Sequence, residues 1–111
     1  MQIPESEDKR IFARFPVNLS IRFLDLLTNQ EGKAQAVDIS AKGVGFTTDT
    51  ALRAFTPLEM WIHVPDKGEP LYTRGEVVWS EMIGPQTYRT GVNLERADLM
   101  GMSRLLRSKQ Q

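Results

Sequence analysis

Arg10 and Arg14 stand four positions apart in "KRIFAR", with Lys9 beside them and no acidic residue in the segment. Guanidinium groups are planar forks that hydrogen-bond phosphates and guanine edges in pairs and also stack on bases, whereas Lys9 offers only a point charge. In a helical turn the two arginines share a face; in an extended loop they stand up to roughly 13 Å apart. Either geometry suits an anion with two charged ends, and a solvated basic loop has the same composition. A second cluster lies in "DISAKG", where Asp38, Ser40 and Gly43 end a strand-like stretch. A carboxylate accepts from the N1 and N2 hydrogens of guanine, a serine hydroxyl donates or accepts, and a glycine lets the backbone approach a ligand or turn with positive φ. The same residues also suit a polar strand end followed by a tight turn.

Other chemistry finds little to work with. His63 is the only histidine and there is no cysteine, so thiol nucleophiles, disulfides and Cys-ligated zinc are excluded, and His63 reads as a sheet residue. The carboxylates (Glu5, Glu7 and Asp8, then Asp66 and Glu69, then Glu76 and Glu81) form no pair that spacing marks as acid and base. "GVG" at 43–45 lacks the strand, long glycine loop and helix of a dinucleotide fingerprint. Trp61 and Trp79 are candidate stacking platforms, although aromatics in alternating strands are more often core or rim. The chain reads as a non-enzyme without a metal site.

The elements that must position these residues have period two. In "VNLSIRFLD", Val17, Leu19, Ile21 and Phe23 fall on one side and Asn18, Ser20 and Arg22 on the other. "KAQAVDIS" puts Val37 and Ile39 on one face and Ala36, Asp38 and Ser40 on the other; "AKG" then turns the chain into "VGFTT", a hairpin. "LEMWIHV", "LYTRGEVVWSE" and "TYRTGVNLE" alternate likewise, separated by the breakers "PDKGEP" and "IGPQ". Only the end changes period: Leu99, Met102, Leu105 and Leu106 form a helical stripe after Asp98, a suitable N-cap. About six strands with short connections predict an all-β dominated domain, an antiparallel barrel or sandwich whose short C-terminal helix covers an end or an edge.

At 111 residues and 41% apolar content the chain fits one domain. Fourteen basic residues offset fourteen acidic ones, so any electropositive patch is local, and general affinity for nucleic acid polymers is not expected. No apolar run approaches the roughly 20 residues that span a bilayer, and the acidic start "MQIPESEDKR" is unlike a signal peptide. These features read as a cytoplasmic protein with no membrane insertion.

Taken together, "KRIFAR", a strand, "DISAKGVGF" across a hairpin, strands carrying "RGEVVW" and "GVNL", and a final helix resemble the PilZ family over nearly the whole chain, from about Lys9 to Arg107. The resemblance implies a small six-stranded antiparallel split barrel over 9–111, preceded by a flexible segment at 1–8. It also implies a bacterial receptor for the second messenger cyclic di-GMP that changes conformation on binding and signals to a partner protein, in motility or biofilm regulation. Arg10 and Arg14 match the family's R-x-x-x-R, and Asp38, Ser40 and Gly43 match its D/N-x-S-x-x-G. In family terms the arginines engage phosphates and guanine edges, Asp38 and Ser40 contact guanine or phosphate, and Gly43 keeps the turn open. Lys9, Arg22, Arg74 and Arg89 are supplementary candidates that match no motif position. A PilZ-like adaptor that acts by protein contact without nucleotide is the alternative, and a barrel that stacks single-stranded nucleic acid on tryptophan ranks below both.

Overall fold

The structure, a computed structural model, describes residues 14–66, 68–96, 101, 103–105 and 107. Six strands follow one another: β1 (Phe15–Asp25), β2 (Gln30–Ile39), β3 (Gly43–Thr48), β4 (Pro57–Ile62), β5 (Leu71–Gly84) and β6 (Thr87–Leu94). They close into an antiparallel barrel in the order β1-β2-β3-β6-β5-β4, so consecutive hairpins are completed by two long-range pairings, β1 with β4 and β3 with β6. Residues 101, 103–105 and 107 are helical and constitute α1.

The alternation predicted for β1 and β4 is what the barrel uses. Ile21, Phe23, Leu58, Met60, Ile62 and Val64 point inward and are buried, together with Val44, Phe46, Val77 and Val92 from the other strands. Phe23 stacks on Phe46 with ring centroids 6.0 Å apart. Each fully buried side chain of this size contributes roughly 1.5–3 kcal/mol, so the core, not the polar rim, holds the barrel shut.

β2 departs from the expected pattern. The β2–β3 register shifts between Ala36 and Asp38. Ala34 and Ala36 are buried, Val37 is only half-buried, and Ile39 and Ser40 are buried. A bulge inserts one residue and reverses the facing of the residues after it. Val37 therefore does not share the core face with Ile39, and Ala36 and Ser40 do not share the outer face with Asp38.

Of the apolar stripe predicted for the terminal helix, Leu105 is described and is buried in the core; Asp98, Leu99, Met102 and Leu106 lie outside the described residues. Leu105 lines a small cavity with Ile39, Ser40, Ile62, Leu71 and Leu94, all from one end of the barrel, so α1 covers that end. Arg104 fastens it: Nε and Nη2 donate to Asp66 at 2.6 and 2.9 Å, and Nη2 also donates to the Glu69 carbonyl. Those hydrogen bonds, with the Gly68 amide, hold the Asp66 carboxyl well below the usual carboxylate range. No helix among the described residues is long and apolar enough to cross a membrane.

Candidate functional site

The bulge in β2 turns Asp38 onto the outer surface, where it meets two arginines from distant parts of the chain. Arg14, immediately before β1, donates from Nη1 to Oδ1 at 2.6 Å, and Arg89, on β6, donates from Nη2 to Oδ2 at 2.6 Å. The carboxylate is partly buried and both guanidinium groups are about half exposed. Charge-assisted pairs of this length are the strong class of hydrogen bond, and both arginine side chains keep solvent-exposed surface while making them.

Beside this cluster the barrel wall is bare. Asp38 pairs with Gly45 on β3, Gly45 with Gly91 on β6, and Gly91 with Trp79 on β5. A Cβ on Gly45 would lie 2.8 Å from Asp38 Oδ1, and one on Gly91 would lie 2.6 Å from the Trp79 indole. The carboxylate and the indole thus lie flat over two adjacent glycines, in the space side chains would otherwise fill. Trp79 keeps about half its surface exposed. The result is a shallow floor with an acceptor and two guanidinium groups at one side and an aromatic plane at the other.

Ser40 shapes the adjoining turn. Its Oγ accepts from the Gly43 amide at 3.0 Å and the Lys42 amide at 3.2 Å, and its own amide donates to the Gly43 carbonyl at 2.8 Å. The Ser40 side chain is therefore buried and engaged within the turn, while Asp38 faces out. Gly43 has no positive φ. What it supplies is room, since a Cβ there would lie 3.1 Å from the Val92 carbonyl and 3.2 Å from Arg14 Nη2.

The structure brings together Arg14, Asp38, Ser40, Gly43 and, of the supplementary candidates, Arg89. Arg10 and Lys9 lie outside the described residues. Arg22 is on β1 opposite Trp61, stacked 4.6 Å over its ring and 3.7 Å from Glu31; Arg74 on β5 pairs with Glu95 at 3.6 Å. Neither joins the Asp38 cluster. Arg22 instead borders an open groove of about 580 Å³ with Lys33, Gln35, Thr47, Asp49 and His63. No group of His, Asp or Glu among the described residues could hold a metal. Gly45 and Gly91 carry a signal that period-two reading can find: in "GVGF" and "RTG", Gly45, Arg89 and Gly91 sit on the outward parity of their strands, whereas Trp79 shares the parity of buried Val77 and is turned outward only by the register shift between them.

A family model for the PilZ domain matches residues 8–108. The chain belongs to the PilZ domain family. No curated protein matches the sequence significantly. Among solved structures, this PilZ domain is similar to the inhibitor of motility MotI/DgrA of Bacillus subtilis, with TM-score 0.68 and 12% identity, covering 99% of this chain and 51% of that one. It therefore spans about half of that protein. It is also similar to the PilZ domain of YcgR from Escherichia coli, solved with c-di-GMP, with TM-score 0.66 and 13% identity over 86% of this chain and 85% of that one. The PilZ domain of CeSA from a cellulose-synthesizing bacterium follows with TM-score 0.59 and 16% identity, over 85% and 91%. At these identities the structural likeness concerns the fold. PilZ domains usually bind cyclic di-GMP and are generally non-catalytic receptors.

Proposed function

We propose that this PilZ domain is a receptor for cyclic di-GMP that binds the nucleotide on the outer floor between Asp38 and Trp79 and signals its occupancy to a partner protein. The observation that carries this reading is the Arg14–Asp38–Arg89 cluster, assembled from three separate segments beside a glycine floor. In the free domain Asp38 pairs with both arginines, offsets one of their two charges and holds them in place. Arg10, four residues before Arg14, adds the remaining arginine of the motif. Three guanidinium groups against one carboxylate leave two positive charges, the number that the two phosphodiesters of cyclic di-GMP require.

Binding is then an exchange of partners. The arginines move from the carboxylate to the phosphates, the Asp38 oxygens become free to accept from N1–H and N2–H of a guanine, and the exposed face of Trp79 is available for stacking. Ser40 acts from below by fixing the turn, and Gly43 leaves the space through which Arg14 reaches the floor. No step makes or breaks a covalent bond. The motility inhibitor among the similar structures makes motility a reasonable output.

Titration calorimetry with cyclic di-GMP, using cyclic GMP and a short oligonucleotide as controls, tests the reading. Saturable binding of cyclic di-GMP alone is expected. A folded protein that takes up none of the three would overturn it in favour of the nucleotide-independent adaptor.

A further inference from the structure

The strand register builds a groove on the outer wall from residues outside the Asp38 cluster. β4, β1, β2 and β3 lie side by side, so that His63, Ser20, Gln35 and Thr47 form one outward row, and Trp61, Arg22 and Lys33 form the next. Ser20 is the smallest of these side chains and is exposed. The larger ones around it wall the open groove of about 580 Å³. From His63 to Thr47 the groove crosses three strand spacings of about 4.8 Å each, roughly the length of four residues of extended chain.

Arg22 and Lys33 are direct partners across the β1–β2 pairing. Like charges directly opposite in an antiparallel pair are destabilising, and little within the chain offsets them. Glu31 lies 3.7 Å from Arg22, beyond hydrogen-bond length, and both side chains are exposed. Lys33 makes no ion pair among the described residues, although Asp49 lines the same groove. Arg22 is held in position by Trp61, its guanidinium carbon 4.6 Å from the ring centroid, and Trp61 packs in turn on Tyr72 with centroids 5.5 Å apart. Two cations thus stand side by side at a hollow, placed to receive carboxylates from outside. The remaining groups define the ligand. Glu31 and Asp49 balance the two cations in number and repel a densely charged ligand such as a polyphosphate or a nucleic acid backbone. Single carboxylates spaced along a peptide meet both cations without crowding either acid. Ser20 and Thr47 offer hydroxyls to such a peptide's backbone, and Gln35, whose Nε2 donates to Asn18, offers its carbonyl oxygen to a peptide amide.

We propose that this groove docks an extended acidic segment of a partner protein, with two of its carboxylates on Arg22 and Lys33. The proposal rests on the receptor reading above for its part in signalling, and it is tested without nucleotide so that failure of one is distinguishable from failure of the other. Heteronuclear NMR of the isotope-labelled full chain detects binding as weak as millimolar and locates it. A blocked hexapeptide, Gly-Glu-Ser-Glu-Ser-Gly, should saturably shift the amides of Ser20, Arg22, Lys33 and Thr47 and leave those of Gly45 and Gly91 in place. The same peptide with lysine for glutamate, tripolyphosphate and a short oligonucleotide should not shift the groove amides. Arg22→Glu and Lys33→Glu, each checked by thermal melt to be folded, should weaken peptide binding by about tenfold or more. Asp49→Asn should tighten it, and Arg74→Ala, outside the groove, should leave it unchanged. The proposal is overturned if the acidic peptide leaves the groove amides unmoved at millimolar concentration or shifts those of the Asp38 cluster instead. Preference for tripolyphosphate or the oligonucleotide overturns it in favour of a phosphate site, and indifference to both charge reversals removes Arg22 and Lys33 from the contact and the proposal with them.

Discussion

Asp38 organises the site by satisfying two arginines that would otherwise repel one another, and each arginine's worth to the ligand depends on leaving that pair. If Arg14 and Arg89 each give a charge-assisted hydrogen bond worth about 1.5–3 kcal/mol to a phosphate, alanine at either position should weaken cyclic di-GMP binding by about tenfold to a hundredfold. Lysine should rescue only in part, because it lacks the paired donors. Arg22→Ala and Arg74→Ala, whose partners are Trp61, Glu31 and Glu95, should bind as the parent does. Calorimetry on the four variants checks this, and equal losses in all four would remove the cluster from the site. Asp38→Asn separates position from charge. It keeps the shape but gives up an acceptor for guanine, so affinity should fall while its dependence on salt persists, whereas the arginine variants should lose affinity and salt dependence together. Identical salt slopes throughout would contradict that division of roles.

The strands position these groups through what they omit. Gly45→Ala or Gly91→Ala must displace the Asp38 carboxylate or the Trp79 indole, both on the outer surface, so the fold should survive while binding is lost; thermal melts beside calorimetry would show it. Gly75 contrasts with them. A Cβ there would lie 2.5 Å from the Asn93 carbonyl, which cannot move independently, so Gly75→Ala should destabilise the barrel by about 1–3 kcal/mol. Much of this architecture was legible in advance, and the exceptions have physical causes. β1 and β4 follow alternation because each has one face against the core and no shift within the part of β1 that pairs with β4. In β2 the bulge at 36–38 leaves no compositional mark, so Asp38 and Ser40 read as neighbours on one face although one is outside and the other inside a turn. Arg89 matches no motif and meets Asp38 only through the β3–β6 pairing, which no local pattern encodes.

For the whole molecule, α1 and the β4–β5 loop are joined by Arg104 and Asp66, and the pair imposes a pH dependence. Because the folded carboxyl of Asp66 titrates below its unfolded value, the unfolded chain binds the proton first, and stability from this pair is complete above about pH 4 and lost as pH falls further. Asp66→Asn should therefore reduce stability and the amide protection of Leu105 at neutral pH, and the difference from the parent should shrink below about pH 4. A difference that stayed constant down to acid unfolding would assign the loss to something other than the ion pair.

The hydrogen bond from Arg89 to Asp38 spans 51 positions of sequence and crosses the β3–β6 seam. Such non-local pairings form late, because loop-closure entropy opposes them until other contacts are in place, and small barrels of this kind fold in milliseconds to seconds. In stopped-flow denaturant jumps, Arg89→Ala should accelerate unfolding while leaving the folding rate almost unchanged, the behaviour of a contact absent from the transition state; a slowed folding limb would place the seam early instead. During synthesis, residues 10 to 43 emerge well before β6 is complete, so a nascent chain carries both motifs before it has a site.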